Sequence, residues 1–418
     1  MQALTMTWTI AGLTALGVIT RPFGWPEAIW AVIGAVLLVA LGLIGVSDAW
    51  LGVSKGLDVY LFLIGMMLLS ELARREGLFD WLASVATAHA KGSPRRLFAL
   101  IFGVGIVVTA FLSNDATAVV LTPAVYAACR AARVRDPMPY LLICAFIANA
   151  ASFVLPISNP ANLVIFGGGE MPPLGHWLST FTLPSIVAIA ATFAALYLTQ
   201  RQALAADTIS REVEQMPLSH SARLAGAGLV LTALLLLVAS ALDLDLGLPT
   251  FLAGGLTTAI IMAVTRQSPV ATLKGVSWSV LPLVAGLFVV VEALNGTGLA
   301  DTLARWLSSG AESHPAQTAA LAGTVVAFVS NLVNNLPAGL VAGSAVQAAH
   351  VPDKIAAAVL IGVDLGPNLS VTGSLATILW LSALRREGLQ IGVFAFLKLG
   401  VVVMIPALAL SLAVLAVQ

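Results

Sequence analysis

The chain has 418 residues, of which 59% are hydrophobic and only 10% are charged, and its formal net charge is zero. Soluble globular proteins carry about 25% charged residues, so this composition excludes an ordinary soluble domain and predicts an all-helical protein with many membrane spans. A neutral chain also gives no indication of a nucleic-acid partner.

Apolar stretches long enough to enter a lipid bilayer follow one another along the whole chain. The first part contains predicted spans at 4–20, 28–46 and 57–72, an interfacial amphipathic helix at 78–90, a hairpin at 97–128, a broken span at 138–166 and a span at 179–199. The second part contains predicted spans at 224–242, 248–264 and 277–294, a hairpin at 316–348, a broken span at 354–384 and a span at 391–417. We therefore divide the chain into a first transmembrane repeat (1–199), a cytoplasmic connector (200–222) and a second transmembrane repeat (223–418).

The two parts share the spacing of their rare polar residues. Glu71 and Asp80 recur with the same separation as Glu292 and Asp301, and Asn114-Asp115 matches Asn334-Asn335 one residue out of that register. If each hairpin enters the bilayer and returns to the same side, each part crosses five times. An odd number of crossings makes the two repeats inverted, which is common among secondary transporters.

Positive charges predict the orientation, because Lys and Arg collect in cytoplasmic loops. When loops are assigned alternately to the two sides, 16 of the 20 Lys and Arg residues fall on the side of the connector. Only Lys55, Arg305 and Lys354 fall on the other side, and Lys398 lies within a span. We therefore expect a multi-pass membrane protein with both termini outside and the connector in the cytoplasm.

Polar residues within the apolar runs concentrate at the two hairpin tips and at the two helix breaks. Non-helical backbone at membrane depth is tolerated only where it lines a cavity or is buried in protein, so four such features predict one central binding site. The predicted substrate-binding residues are Ser113, Asn114, Asp115, Thr117, Asn159, Asn334, Asn335, Asn368, Thr372 and Ser374.

These side chains are amides, hydroxyls and a carboxyl, with no Lys, Arg or His among them. A small polyanion usually needs a cationic clamp, so this set favours a small neutral polyhydroxyl solute or a dehydrated cation. Asp115 and Asp364 are predicted to be buried, and burial favours the neutral form of a carboxyl, so both are candidates for proton coupling. Asp364 precedes Gly366-Pro367, where a helix end disfavours negative charge, so we expect it to be the main proton carrier.

The motifs resemble those of the membrane subunit of arsenical efflux pumps, within the ion transporter superfamily. The resemblance is most specific in FLSNDATAVVLTP (111–123), in NNLP (334–337) and in IGVDLGPNLSVTGSLATILWL (361–381). It implies a protein of the bacterial inner membrane that exports arsenite and antimonite in exchange for protons, in some cases with a soluble ATPase subunit at the cytoplasmic face. No cofactor is expected. The chain departs from the family pattern at Asn149, where the pattern has Asp, and at Pro160, which the pattern lacks.

Other functions remain open at this point. A sodium/proton antiporter or a small-anion permease of the same fold is the main alternative. An intramembrane enzyme is disfavoured because no Ser–His or Glu–His pairing and no zinc-ligand motif is present, and the five histidines fall near loops. A channel is disfavoured by the intramembrane carboxyl groups and the repeats.

Overall fold

A computed structural model describes residues 2–166, 171–211, 215–266 and 268–418, and within these ranges all regular secondary structure is helical. The first half contains α1 Gln2–Thr20, α2 Glu27–Ala40, α3 Val46–Lys55, α4 Leu57–Arg75, α5 Leu78–Ala90, α6 Pro94–Phe111, α7 Asn114–Ala116, α8 Thr122–Ala131, α9 Met138–Ala150, α10 Pro160–Ile165 and α11 Leu174–Ala206. The second half contains α12 His220–Ala241, α13 Gly247–Thr265, α14 Pro269–Gly275, α15 Val280–Asn295, α16 Leu299–Ser313, α17 Pro315–Val333, α18 Asn335–Ala349, α19 Asp353–Leu365, α20 Leu375–Arg386 and α21 Val393–Val417.

The fold is that of a helical membrane protein, as the composition predicts. Among the described residues, α1, α6, α11, α12, α13, α17 and α21 are long and apolar enough to cross a bilayer. The pairs α3–α4 and α14–α15 are bent by 45° and 41°, and counting each pair as one span gives nine. Five crossings in each half, with opposite orientation, remain a prediction.

The same order of helices occurs in both halves, which allows the two to be aligned residue by residue. Ser113 precedes the second arm of the first hairpin, and Asn334 precedes the second arm of the second hairpin. Asn114 therefore corresponds to Asn335, which is the register that relates Glu71 to Glu292. Helices α9 and α19 both have 13 residues, so Asn149 corresponds to Asp364.

The two halves are interlocked by close packing of their helices. Gly65 on α4 lies against the Thr250 carbonyl of α13, and Gly286 on α15 lies against Ala31 of α2. A Cβ atom at either glycine would overlap the neighbouring backbone. Thus α4 of the first half packs on α13 of the second half, and α15 of the second half packs on α2 of the first half. This reciprocal packing brings the two hairpins towards one centre.

Two short helices, α3 and α14, were not predicted from the sequence. They contain 10 and 7 residues, and α3 includes Asp48 and Lys55, so neither forms a long apolar run. Tertiary contacts hold α3 in place, because Lys55 Nζ donates to Glu292 of α15 at 2.8 Å. By contrast, a helix is present at the predicted 78–90 as α5, and its location at the membrane interface remains a prediction.

The positive-charge distribution makes the orientation testable. A cysteine introduced in place of Gln2 or Gln418 should react with a membrane-impermeant maleimide in intact cells, whereas one at Asp207 should react only after permeabilisation. The two native cysteines, Cys129 and Cys144, are buried and give little background. Labelling of position 207 but not of the termini in intact cells would contradict the predicted orientation.

Candidate functional site

The first hairpin turns at Ser113, which has a φ of 145° and separates α6 from the second arm. Its side-chain oxygen accepts a hydrogen bond from the Ala116 N–H at 3.3 Å, so it caps the second arm. The arm continues through a π-helical turn, Thr117–Leu121, and the hydroxyl of Thr117 bonds that of Thr109 at 2.8 Å. These contacts fix the N-terminus of the second arm at the tip, with Asn114 and Asp115 in its first turn.

The second hairpin turns at Asn334, which has a φ of 74° and accepts a hydrogen bond from the Leu336 N–H at 3.3 Å. The backbone N–H of Asn335 donates to the Gly373 carbonyl at 2.9 Å. The second tip is therefore attached to the non-helical segment between α19 and α20.

Both broken spans stop and restart at capped positions. The first restarts at α10, where Asn159 accepts a hydrogen bond from the Ala161 N–H at 3.0 Å. The second restarts at α20, where Ser374 accepts from the Thr377 N–H at 3.1 Å. Pro160 opens α10 because a proline needs no backbone donor in the first turn of a helix.

The two tips and the two breaks meet around a small central cavity of about 20 Å³. That volume holds about one water molecule. Its lining consists of Leu63, Asn114, Asp115, Asn159, Pro160, Val280, Asn335, Leu336, Leu375 and Ala376. The polar lining is thus three amides and one carboxyl, without any Lys, Arg or His.

Four of the ten predicted binding residues line this cavity: Asn114, Asp115, Asn159 and Asn335. One of them, Asp115, differs from expectation in the exposure of its side chain. It was predicted to be buried, but it is partly exposed, because it lies in the first turn after the tip and faces the cavity. Its carboxyl group receives no hydrogen bond from the described part of the protein.

The other six predicted residues do not line the cavity, and their side chains bond protein groups instead. Asn368, for example, is buried, donates to the Phe146 carbonyl at 3.0 Å and accepts from Asn149 at 3.0 Å. Thr372 donates to the Asn331 carbonyl at 3.0 Å. The geometry shows that these residues hold the tips and breaks in position, while direct contact with a substrate remains a prediction for them. The six residues are Ser113, Thr117, Asn334, Asn368, Thr372 and Ser374.

Asp364 lies at the centre of a buried polar network beside the cavity. It is fully buried near the end of α19, and its Oδ1 accepts a hydrogen bond from Asn159 Nδ2 at 2.8 Å. Its Oδ2 lies 2.6 Å from the hydroxyl oxygen of Ser152, which also lies 2.7 Å from the Asn149 carbonyl oxygen. Asn159 therefore contacts both the cavity and Asp364.

Ser152 and Asn331 are the polar residues that sequence reasoning missed. Ser152 lies in the non-helical segment after α9, and treating the whole segment from Ala150 to Pro156 as the break would have included it. Asn331 lies one turn before the second tip, and its Oδ1 accepts a hydrogen bond from Ser370 at 2.7 Å.

The network predicts different stabilities for two substitutions of Asp364. In Asp364→Asn the new amide can accept from Asn159 and donate to Ser152, so the melting temperature of the purified protein should stay close to that of the wild type. Asp364→Leu leaves the Asn159 donor buried without an acceptor, which costs about 1–3 kcal/mol, so thermal unfolding should occur at a clearly lower temperature. Equal melting of the two variants would show that Asp364 is not held by these bonds.

Comparisons with known proteins agree with a transport fold. The model of a family described as CitMHS, citrate transporter, matches residues 15–363. The chain is similar to the arsenical pump membrane protein of Yersinia enterocolitica, with 29% identity over 99% of both chains. It is also similar to the arsenical pump membrane protein of Escherichia coli K12, with 28% identity over 97% of both chains.

A crystal structure of the YdaH transporter of Alcanivorax borkumensis has a similar fold, with a TM-score of 0.55 and 16% sequence identity over 87% of this chain and 86% of that one. Because the family model covers most of the sequence and the helices form a multi-span membrane fold around a polar centre, the chain belongs to the CitMHS (citrate transporter) family of membrane transporters.

Proposed function

We propose that this protein is a secondary active transporter that exports arsenite and antimonite from the cytoplasm in exchange for protons. The observation that carries the proposal is the cavity lining of Asn114, Asn159, Asn335 and Asp115, which contains no cationic side chain. The names of the similar proteins from Yersinia and Escherichia support the same class of substrate.

The chemistry of the lining suits trivalent arsenic. Near neutral pH arsenite is mostly a small uncharged trihydroxide, whose O–H groups donate and whose oxygen atoms accept hydrogen bonds. An amide side chain also donates and accepts, so three amides can bind such a solute without any counter-charge. Because the cavity is close to the size of one water molecule, the tips must separate when substrate enters.

A citrate-like substrate fits this lining poorly, although the family description names citrate. A tricarboxylate would place several negative charges beside Asp115, with no Lys, Arg or His lining the cavity to neutralise them. Such anions are usually bound by arginine or lysine. The oxygen atoms of amides and carboxyl groups do suit a hard cation, so a sodium/proton antiporter is the second candidate.

Transport assays in vesicles separate these substrates. Purified protein should move radiolabelled arsenite, excess antimonite should compete, and citrate or succinate should neither compete nor be transported, because the cavity lacks cations. Replacing sodium by choline should leave arsenite movement unchanged. Transport of citrate without arsenite would refute the proposal, and sodium-driven proton movement without arsenite transport would favour the second candidate.

The hydrogen bonds around Asp364 support its role as the proton carrier. The Ser152 hydroxyl has one proton but lies within hydrogen-bonding distance of both the Asn149 carbonyl and Asp364. Both contacts are hydrogen bonds when the Ser152 hydroxyl donates to the Asn149 carbonyl and a protonated Asp364 donates to the Ser152 oxygen. Asp115, in the first turn of a helix, occupies a position that favours a negative charge, so we assign it the orientation of substrate.

Two substitutions test these roles. Asp364→Asn should retain downhill exchange of arsenite but lose its dependence on an imposed pH gradient, whereas Asp115→Asn should weaken exchange itself. Asp301→Asn, at an exposed carboxyl of α16, is the matched control and should behave as the wild type. Uncoupling by Asp115→Asn alone would reverse the two roles, and wild-type coupling in both variants would move the proton site elsewhere.

Exchange for protons requires no nucleotide in this scheme. A soluble ATPase partner, which the family resemblance implied, remains a prediction.

A further inference from the structure

A groove of about 580 Å³ lies on the surface between α4, α13 and α14, away from the central cavity. It is lined by Leu68, Gly255, Thr258, Ala259, Met262, Ala263, Arg266, Pro269, Thr272 and Leu273. All of these side chains are apolar or small except two threonines and one arginine. The groove therefore combines an apolar body with a cationic end.

The position of Arg266 places that end at the membrane surface. Helix α13 has 19 residues, ends at Thr265 and is long and apolar enough to cross a bilayer. Arg266 follows directly and is exposed. A residue just beyond a spanning helix lies at the level of the lipid headgroups, while Gly255 and Ala259 lie deeper along the same helix.

Two arginines at this end have no carboxylate partner in the part of the chain that the structure describes. Arg266 makes no ion pair, and Arg75 on α4 donates to the hydroxyl of Thr272 at 2.7 Å. Its neighbour Arg74, by contrast, is neutralised by Glu71 at 2.6 Å. Two cations that are not neutralised beside an apolar groove fit an amphipathic anion.

The corresponding place in the other half of the protein lacks these cations. The loop between α2 and α3, residues 41–45, contains no Lys or Arg, and α15 ends in Asn295 where α4 ends in Arg75. A second apolar crevice of about 340 Å³, between α1, α15 and the second hairpin, has no charged lining residue. The cationic end is therefore a property of the α4–α13–α14 groove and not of surface crevices in this protein generally.

We propose that this groove binds one anionic phospholipid, with its phosphate between Arg266 and Arg75 and an acyl chain lying along α13. Basic pockets between membrane helices bind anionic headgroups for the same electrostatic reason. The site is independent of the transported substrate, because it shares no residue with the central cavity.

Native mass spectrometry of the detergent-purified protein with equal amounts of phosphatidylglycerol and phosphatidylethanolamine tests this site. The wild type should retain phosphatidylglycerol preferentially, and Arg266→Gln should weaken that retention about fivefold, with a similar further loss when Arg75→Gln is added. Arg305→Gln removes an exposed cation on α16 and should leave retention unchanged. Within the described ranges Arg266 makes no side-chain hydrogen bond, so its substitution should not disturb folding.

A second pair of variants tests the apolar part of the groove. A side chain added at Gly255 meets open space, so Gly255→Leu should fill the groove without disturbing the helices and should abolish retention of phosphatidylglycerol. Gly12→Leu, which also enters open space but in the uncharged crevice, is the control and should retain the lipid. Equal retention of the two lipids by the wild type, or unchanged retention in Arg266→Gln and Gly255→Leu, would overturn the proposal.

Discussion

The structure depends on one constraint: polar groups placed at membrane depth must find their partners inside the protein. The two broken spans satisfy this constraint with each other's groups. Asn149 of the first donates to Asn368 of the second, Asn159 donates to Asp364, and the indole N–H of Trp380 donates to the Leu141 carbonyl at 2.9 Å. The breaks that weaken each helix are therefore also what joins the two halves at the centre.

This arrangement also places a polar cavity at the centre. Each hairpin tip is attached to the break of its own half, through the Ser158 hydroxyl to the Ala110 carbonyl in the first and through Asn335 to Gly373 in the second. The polar cavity lies where these units meet. The buried network contains a single ionisable group, because Asp364 corresponds to Asn149 in the other half. One exchangeable proton beside a binding site without a cationic side chain is the arrangement that our proposed exchange mechanism requires.

Sequence patterns predicted the structural elements that nearby residues in the chain determine, such as helix breaks at proline. The broken span predicted at 138–166 is interrupted at Pro156 and Pro160, and the one predicted at 354–384 is interrupted at Gly366-Pro367. A helix also forms with the predicted bounds 78–90. The helices α3 and α14 were missed because tertiary contacts, rather than long apolar runs, hold them in place.

The site was only partly predictable for a related reason. Composition and spacing identified the tip residues, but which of them face the cavity depends on the register of the two halves. Ser152 could not be recognised as a partner of Asp364, because 212 positions separate the two residues in the sequence. The partial exposure of Asp115 likewise follows from how the first tip meets the first break at Asn159 and Pro160.

Proton movement driven by the substrate alone is the most direct test of the account. Vesicles containing the purified protein and a pH-sensitive dye would be loaded with arsenite and diluted into arsenite-free buffer of the same pH. Exchange predicts that the interior acidifies as arsenite leaves, and that Asp364→Asn releases arsenite without acidification. Arsenite release by the wild type at constant internal pH would contradict the account.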